Sequence, residues 1–216
     1  MKDQTMSVVP FPPMKRPLVA ILRGVRPEEA EDIVSVLIDS GMTAIEIPLN
    51  SPEPFRSIEI AVRKASAGIL VGAGTVLTLD DVARLHDVGG RLLVTPNVDP
   101  EIIASARARG MVTMPGVFTP TEALLAAKAG ASSLKFFPAS VLGAAGITAI
   151  RAVLPADLMI AAVGGVSDKN FVDYTKAGIL AFGLGSSLYK PGMTAAEVAA
   201  RAKATIEAYD LAVQQR

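Results

Sequence analysis

One strand–helix–strand repeat occupies residues 92–114, LLVTPNVDPEIIASARARGMVTM. The repeat opens on a short apolar run, which favours a buried strand. Asp99-Pro100-Glu101 then places a capping oxygen, a proline and an acid where a helix begins, and Gly110 follows the alanine-rich segment where that helix ends. A second apolar run starts directly afterwards. The stretch therefore predicts one βαβ unit of a parallel sheet.

The same repeat recurs along the chain. Short apolar runs are centred near residues 21, 45, 71, 93, 113, 135, 161 and 183. Helical segments are expected between them, among them residues 27–40, 80–88, 100–109, 121–129 and 168–177, and a last helix is expected over residues 194–209. Eight such repeats predict an α/β fold, a single (β/α)8 TIM barrel over residues 17–216. A doubly wound open sheet is the alternative fold.

The start of the chain breaks this pattern. Residues 1–16 contain three prolines and no apolar periodicity, which predicts an N-terminal arm that is extended or disordered. No segment approaches the run of about 20 apolar residues that spans a bilayer, so we expect a cytoplasmic protein with no membrane partner.

Composition narrows the classes of function. Lysine plus arginine (21) equals aspartate plus glutamate (21), so no basic field favours nucleic acid as a partner. The chain has no cysteine, which excludes disulfides, thiolate catalysis and cysteine-ligated metals. The single histidine, His86, lies in a predicted helix, where a surface role is expected. We therefore expect neither a metal site nor a cofactor.

A lysine interrupts the apolar stretch SLKFFP at residues 133–138. Burying an ammonium group costs several kcal/mol unless it is paired or loses its proton. Lys135 is therefore either a reactive amine or a strand-end lysine whose charged group reaches water or a carboxylate.

An acidic residue is expected to point into the barrel interior together with this lysine. Successive strand residues alternate between faces, so Glu46 lies on the same face as Ala44, and Lys135 on the same face as Ser133. Both side chains should point into the barrel. They can form a buried ion pair, or the lysine can attack a carbonyl to form a Schiff base while Glu46 carries protons.

Other residues at the strand ends suit an anionic ligand. Arg23 follows the first strand, where a guanidinium can hold a carboxylate or a phosphate. The loop Gly72-Ala73-Gly74-Thr75 can present Thr75 to a carboxylate. Gly164-Gly165 and Gly185-Ser186 follow the last two strands, where they either expose backbone N–H groups to a phosphate or only close tight loops.

Over residues 17–210 the chain resembles the class I aldolases of 2-keto-3-deoxy-6-phospho sugar acids. The motifs that carry the resemblance are AILRG at 20–24, EIPLN at 46–50, GAGTV at 72–76, TPN at 95–97, PG at 115–116, LKFFP at 134–138 and VGGV at 163–166. The resemblance implies a Schiff base on Lys135, proton transfer by Glu46, a homotrimer, and no need for a metal. It also implies a set of binding residues. The substrate would contact Arg23, Asn50, Thr75, Pro96, Phe137 and Val163, and its phosphate would contact Gly164, Gly165, Gly185 and Ser186.

Two positions indicate the branch of the family. Members that act on the gluconate substrate resemble one another in having arginine where this chain has Asn50 and threonine where it has Val163. The chain instead is similar to the 6-phosphogalactonate branch, which implies reversible cleavage of 2-dehydro-3-deoxy-6-phosphogalactonate to pyruvate and D-glyceraldehyde 3-phosphate. The alternatives are the gluconate epimer or 4-hydroxy-2-oxoglutarate as substrate, a sugar-phosphate epimerase, and a non-catalytic binding protein.

Overall fold

The computed structural model describes residues 8–216. Residues 1–7, the first part of the predicted arm, lie outside the described residues. Within the described part, strands and helices alternate along the chain. The strands are β1 Leu18–Ile21, β2 Ala44–Pro48, β3 Leu70–Gly74, β4 Leu92–Val94, β5 Val112–Met114, β6 Gly116–Val117, β7 Ser133–Phe136, β8 Met159–Val163 and β9 Ala181–Leu184. The helices are α1 Pro27–Asp39, α2 Pro54–Lys64, α3 Leu79–Asp87, α4 Pro100–Ala108, α5 Pro120–Lys128, α6 Ala139–Arg151, α7 Phe171–Lys176 and α8 Ala195–Gln214.

All strands belong to one parallel sheet, in the order β5-β4-β3-β2-β1-β9-β8-β7-β6. Its two end strands, β5 and β6, are separated in the chain by Pro115 alone, so the sheet closes on itself. Proline has no N–H to donate to a sheet ladder, which accounts for the break. The Pro115 carbonyl still accepts a hydrogen bond of 2.9 Å from the Lys135 amide. β5 and β6 therefore act as one strand of an eight-stranded barrel, and the TIM-barrel prediction is confirmed.

The two faces of the strands form two separate apolar clusters. Val19 and Ile21 of β1 belong to the cluster inside the barrel, whereas Leu18 and Ala20 pack outward against the helices. This alternation is the period of two that a strand imposes. The inner cluster contains mainly alanine, valine, leucine and methionine, which fill the middle of the barrel.

The structure contains two helices, α2 and α6, that are not among the segments predicted from the sequence. α2 begins after Glu53, which has a left-handed backbone (φ 40°) and makes no side-chain capping hydrogen bond. α6 contains Gly143, whose φ of 65° and ψ of 169° interrupt the helical backbone. α2 thus lacks a capping side chain, although Pro54 stands at its start, and α6 lacks the unbroken periodicity by which a helix is read from sequence. The helix that contains His86, α3, lies in the outer layer as predicted.

The described part of the N-terminal arm, residues 8–16, forms no helix or strand and packs on the barrel. Val9, Phe11 and Met14 contact the inner cluster together with Leu70 and Met159, the first residues of β3 and β8. The segment therefore covers the N-terminal end of the barrel. Arg16 then binds Asp210 of α8 through two hydrogen bonds of 2.7 and 2.6 Å. Among residues 8–216 no helix is long and apolar enough to cross a membrane.

The packing of the arm makes a testable prediction about stability. Phe11→Ala should lower the free energy of unfolding by roughly 1–3 kcal/mol, because a partly buried ring loses its contacts with the barrel interior. Val8→Ala is the matched control, since Val8 is 49% exposed and should cost less than about 0.5 kcal/mol. Urea denaturation of both variants measures the difference. Equal effects would show that the arm does not contribute to the core.

Candidate active site

A cavity of about 590 Å³ opens at the C-terminal ends of the strands. Its wall contains Ile21 at the end of β1, Glu46 in β2, Thr75 just after β3, Lys135 in β7 and Val163 at the end of β8. Four strands and the turn after β3 thus contribute side chains to one concave site, at the end of the barrel where catalytic residues of this architecture lie.

The structure brings together all but one of the predicted site residues. Those on the cavity wall are Arg23, Glu46, Thr75, Pro96, Lys135, Phe137, Val163, Gly164, Gly165, Gly185 and Ser186. Asn50 is the exception. Its Oδ1 accepts a hydrogen bond of 2.5 Å from Nη1 of Arg23, so it contacts the guanidinium and does not line the cavity.

Part of the cavity wall was not predicted from the sequence. The additional lining residues are Ile21, Gly24, Val166, Ser167, Gly183, Ser187, Tyr189, Lys190 and Pro191. The last three continue the loop that begins with Gly185-Ser186, so the available signal was their position directly after a barrel strand. Loops at that end of the strands build the site in this fold.

Lys135 is buried in this cavity, with 7% of its surface exposed. Its Nζ lies 4.8 Å from the centre of the Phe137 ring, and among residues 8–216 the amine forms no salt bridge within 4.0 Å. Burial lowers the pKa of Lys135, an effect that the negative charge of Glu46 opposes and the positive charge of Arg23 reinforces. The amine therefore loses its proton more readily than an exposed lysine.

Glu46 is the second buried ionisable group of the cavity, with 2% of its surface exposed. Its Oε2 has no hydrogen-bond partner in the described protein. Burial raises the pKa of Glu46 to about 7, while Lys135 and then Arg23 act in the opposite direction. The carboxylate lies against Gly74, where any Cβ atom would overlap it. A carboxyl group with a pKa of about 7 can both take up and release a proton near neutral pH.

Thr75 has a left-handed backbone, with φ of 58°. This conformation is an outlier for a β-branched residue and costs on the order of 1–3 kcal/mol. It occurs at the turn that follows β3, on the cavity wall. Strain of this kind persists where surrounding structure holds a side chain in a required position, which makes Thr75 a candidate for ligand contact.

The two glycine loops leave backbone donors free at the wall. Within the described residues, the amides of Gly165, Val166 and Ser186 donate no hydrogen bond to another protein group. Gly165 has φ of 78°, and a Cβ there would lie 2.5 Å from Cβ of Ser140. Only glycine fits at this position, because Ser140 approaches so closely. Free amides in such loops favour an anion.

The described residues contain no cluster of three or more histidine, cysteine, aspartate or glutamate side chains that could hold a metal ion. The cavity instead combines a buried amine, a buried carboxyl group, a guanidinium and free backbone amides. This set can form an imine with a carbonyl compound, exchange protons beside it and bind anionic groups.

Comparison with known proteins identifies similar sequences. A family model described as KDPG and KHG aldolase matches residues 13–204. The chain is 71% identical over 205 residues to the probable 2-dehydro-3-deoxy-6-phosphogalactonate aldolase of Rhizobium meliloti strain 1021, covering 95% of this chain and 97% of the relative. It is 46% identical over 200 residues to the 2-dehydro-3-deoxy-6-phosphogalactonate aldolase of Escherichia coli K12, covering 93% and 98%.

Solved structures show the same similarity. A structure described as native KDPGal superposes with a TM-score of 0.91 at 46% identity, covering 94% of this chain and 98% of that one. The 2-keto-3-deoxy-6-phosphogluconate aldolase of Zymomonas mobilis ZM4 superposes with a TM-score of 0.78 at 26% identity, covering 88% and 90%.

The burial of Glu46 predicts a pH dependence of stability. Its pKa is about 7 in the folded protein and 4.5 in an exposed reference state, so the folded protein keeps a proton that the unfolded chain has released. The contribution of the protonated Glu46 carboxyl group to the free energy of unfolding is complete below pH 4.5 and is lost as the pH rises through 7. The free energy of unfolding of the wild type, minus that of Glu46→Gln, should fall by up to about 3 kcal/mol between pH 5 and pH 8. Urea denaturation at several pH values measures this difference. Parallel curves for the two proteins would contradict the assignment.

Proposed function

Since the chain belongs to the KDPG and KHG aldolase family, we propose that it cleaves 2-dehydro-3-deoxy-6-phosphogalactonate to pyruvate and D-glyceraldehyde 3-phosphate through a Schiff base on Lys135. The observation that carries the proposal is the burial of Lys135 and Glu46 in one cavity. The chain is a carbon–carbon lyase by its family, so the sugar-phosphate epimerase and the non-catalytic binding protein are set aside.

Lys135 carries the covalent chemistry. Its neutral amine attacks the C2 carbonyl of the substrate, and the resulting carbinolamine loses water to give an imine. The lowered pKa of Lys135 supports this role, because the free amine is the nucleophile. Protonation of the imine nitrogen then makes C2 able to accept the electron pair of the C3–C4 bond.

Glu46 carries the protons. As its carboxylate removes the proton of the C4 hydroxyl, the C3–C4 bond breaks, its electron pair forms an enamine, and D-glyceraldehyde 3-phosphate leaves. Glu46 then returns the proton to C3 of the enamine, and water hydrolyses the pyruvate imine to regenerate the Lys135 amine. Its pKa of about 7 suits a group that acts first as base and then as acid.

The binding roles follow the chemistry of the wall. Thr75 and Arg23 would hold the carboxylate of the substrate, and Asn50 would position the Arg23 guanidinium through the hydrogen bond between them. Pro96 and Phe137 would pack against the carbon chain. The phosphate would bind at Gly164, Gly165, Gly185 and Ser186, where the free amides of Gly165 and Ser186 supply donors.

The choice between C4 epimers depends on Val163. Its side chain is 3% exposed and lies on the cavity wall, and Gly183 makes room for it, since a Cβ at Gly183 would lie 2.8 Å from Cγ2 of Val163. The site thus offers no hydroxyl at this position. The second candidate function is cleavage of the gluconate epimer, the substrate in the names of relatives with 26–32% identity.

We extend the proposal to a homotrimer in the cytoplasm, working without a metal and without nucleic acid or membrane partners. The resemblance to the class I aldolases supports this assembly. Leu77 and Leu79, next to the site-forming loop after β3, are 50% and 49% exposed, and association of subunits would remove such apolar surface from water. Sedimentation equilibrium measures the mass of the assembly directly.

The Schiff base makes the first prediction about function. Incubation with pyruvate and borohydride should modify Lys135 covalently, because reduction converts the imine to a stable secondary amine. Peptide mapping by mass spectrometry locates the label, and Lys135→Arg, which keeps the charge but has no nucleophilic amine, is the control. A label on another lysine would refute the assignment.

The substrate assignment makes the second prediction about function. Val163→Thr conserves the shape of the side chain and adds one hydroxyl. It should raise kcat/KM for the gluconate epimer relative to the galactonate epimer by up to roughly 10-fold, the value of one neutral hydrogen bond of about 1 kcal/mol. Kinetics with both epimers on both proteins measure the ratio. A wild type that prefers the gluconate epimer would overturn the proposed substrate.

A further inference from the structure

Lys190 is the charged residue of the cavity wall that the proposed mechanism does not use. The acidic and basic side chains that line the cavity belong to Arg23, Glu46, Lys135 and Lys190. Glu46 and Lys135 are assigned to the reacting end, and Arg23 is assigned to the substrate carboxylate. Lys190 lies in the loop after β9, five residues beyond Gly185, and is exposed. Among residues 8–216 it forms no salt bridge, so its ammonium is available to a ligand.

The loop that carries Lys190 is held in place by the same glycine motif that borders the proposed phosphate position. The amides of Leu188 and Tyr189 both donate to the Gly185 carbonyl, at 2.9 and 3.0 Å. The Lys190 amide donates to Sδ of Met193 at 3.3 Å. Both chain neighbours of Lys190, Tyr189 and Pro191, line the cavity as well. The backbone at Lys190 is therefore fixed at the edge of the site.

The packing of Pro191 joins this loop to the Arg23 segment. A Cβ at Gly24 would lie 2.7 Å from Cγ of Pro191, so the two backbones approach closely only because residue 24 is glycine. Gly24 also has φ of 82°, which favours glycine independently. The close contact keeps the loop after β9 beside the loop after β1, and both loops contribute a cation to the same cavity.

The charge of the substrate exceeds what the described phosphate loops can balance. A phosphate monoester carries a charge of about −1.5 to −2 at pH 7. Gly164, Gly165, Gly185 and Ser186 offer backbone and hydroxyl donors but no formal charge. A cation beside neutral amide donors forms a charge-assisted hydrogen bond, which is roughly twice as strong as a neutral one.

We propose that Lys190 is the cation that pairs with the substrate phosphate and makes the site selective for phosphorylated over unphosphorylated sugar acids. This inference rests on the proposed aldolase function and deepens it. Lys190 acts on binding at the distal end of the substrate and takes no part in proton transfer, because Lys135 and Glu46 are the buried groups at the reacting end. Its effect therefore falls on KM and not on kcat.

The kinetic test compares two substrates on matched variants. Lys190→Ala should raise KM for 2-dehydro-3-deoxy-6-phosphogalactonate roughly 10-fold, leave kcat within about twofold, and leave kcat/KM for the unphosphorylated acid within about twofold. Lys190→Arg retains the charge and should stay within about threefold of the wild type. Lys169→Ala is the control, because Lys169 is another exposed lysine in a loop after a strand but does not line the cavity. Equal losses on both substrates, or none, would overturn the proposal.

A binding measurement separates this inference from the proposed reaction. Glycerol 3-phosphate, titrated by phosphorus NMR, reports the phosphate site without any carbon–carbon cleavage. Its Kd should rise roughly 10-fold in Lys190→Ala, and the difference from the wild type should shrink at high salt because ionic screening weakens exposed charges. An unchanged Kd would refute the role of Lys190 whatever the reaction. Failure of the wild type to release pyruvate would refute the proposed function and leave this binding result to decide on Lys190.

Discussion

The burial of Glu46 and Lys135 at one end of the barrel is the constraint on which the rest of the site depends. Both groups are removed from water, and no salt bridge within 4.0 Å joins them in the described structure. Desolvation then disfavours both charged forms and moves the two pKa values toward each other. Glu46, with a pKa of about 7, can therefore exchange protons near neutral pH, and Lys135 loses its proton more readily than a lysine in water. The packing of the barrel must offset the free-energy cost of burying both groups.

The packing of the barrel around these two groups accounts for several structural features. Gly74 lies directly against the Glu46 carboxylate, and the absence of a Cβ atom there leaves room for the acid. The inner cluster fills the barrel below the site, and Phe11 and Met14 of the arm cover the opposite end. A closed barrel is suited to this arrangement, because each strand holds its side chain against two neighbours and the relative positions of Glu46 and Lys135 are set by the sheet.

The site also changes character from its floor to its rim. The Lys135 amine and the Glu46 carboxyl group are buried, whereas Arg23 and Lys190 are exposed at the mouth. Charges in water attract an anionic ligand over longer distances at low salt but contribute modestly to affinity, while buried groups are strongly perturbed and suited to proton transfer. The proposed substrate fits this gradient, since its ketone would lie on the floor and its phosphate near the rim. The ketone and the phosphate of one ligand would thus be recognised by different physical effects.

The sequence by itself determined the barrel and its repeat, because these depend on local patterns. Alternation along β2 and β7 was enough to direct Glu46 and Lys135 inward, and the glycines at the helix ends have the left-handed backbone expected of them, as at Gly110 with φ of 70°. The tertiary structure alone decided which residues meet across loops. It placed Asn50 against Arg23 and not on the wall, and it brought Tyr189, Lys190 and Pro191 into the cavity. It also decided the pKa of Glu46, which depends on burial by residues far apart in the chain. Period and turn chemistry are local, whereas desolvation and loop contacts exist only once distant segments have packed together.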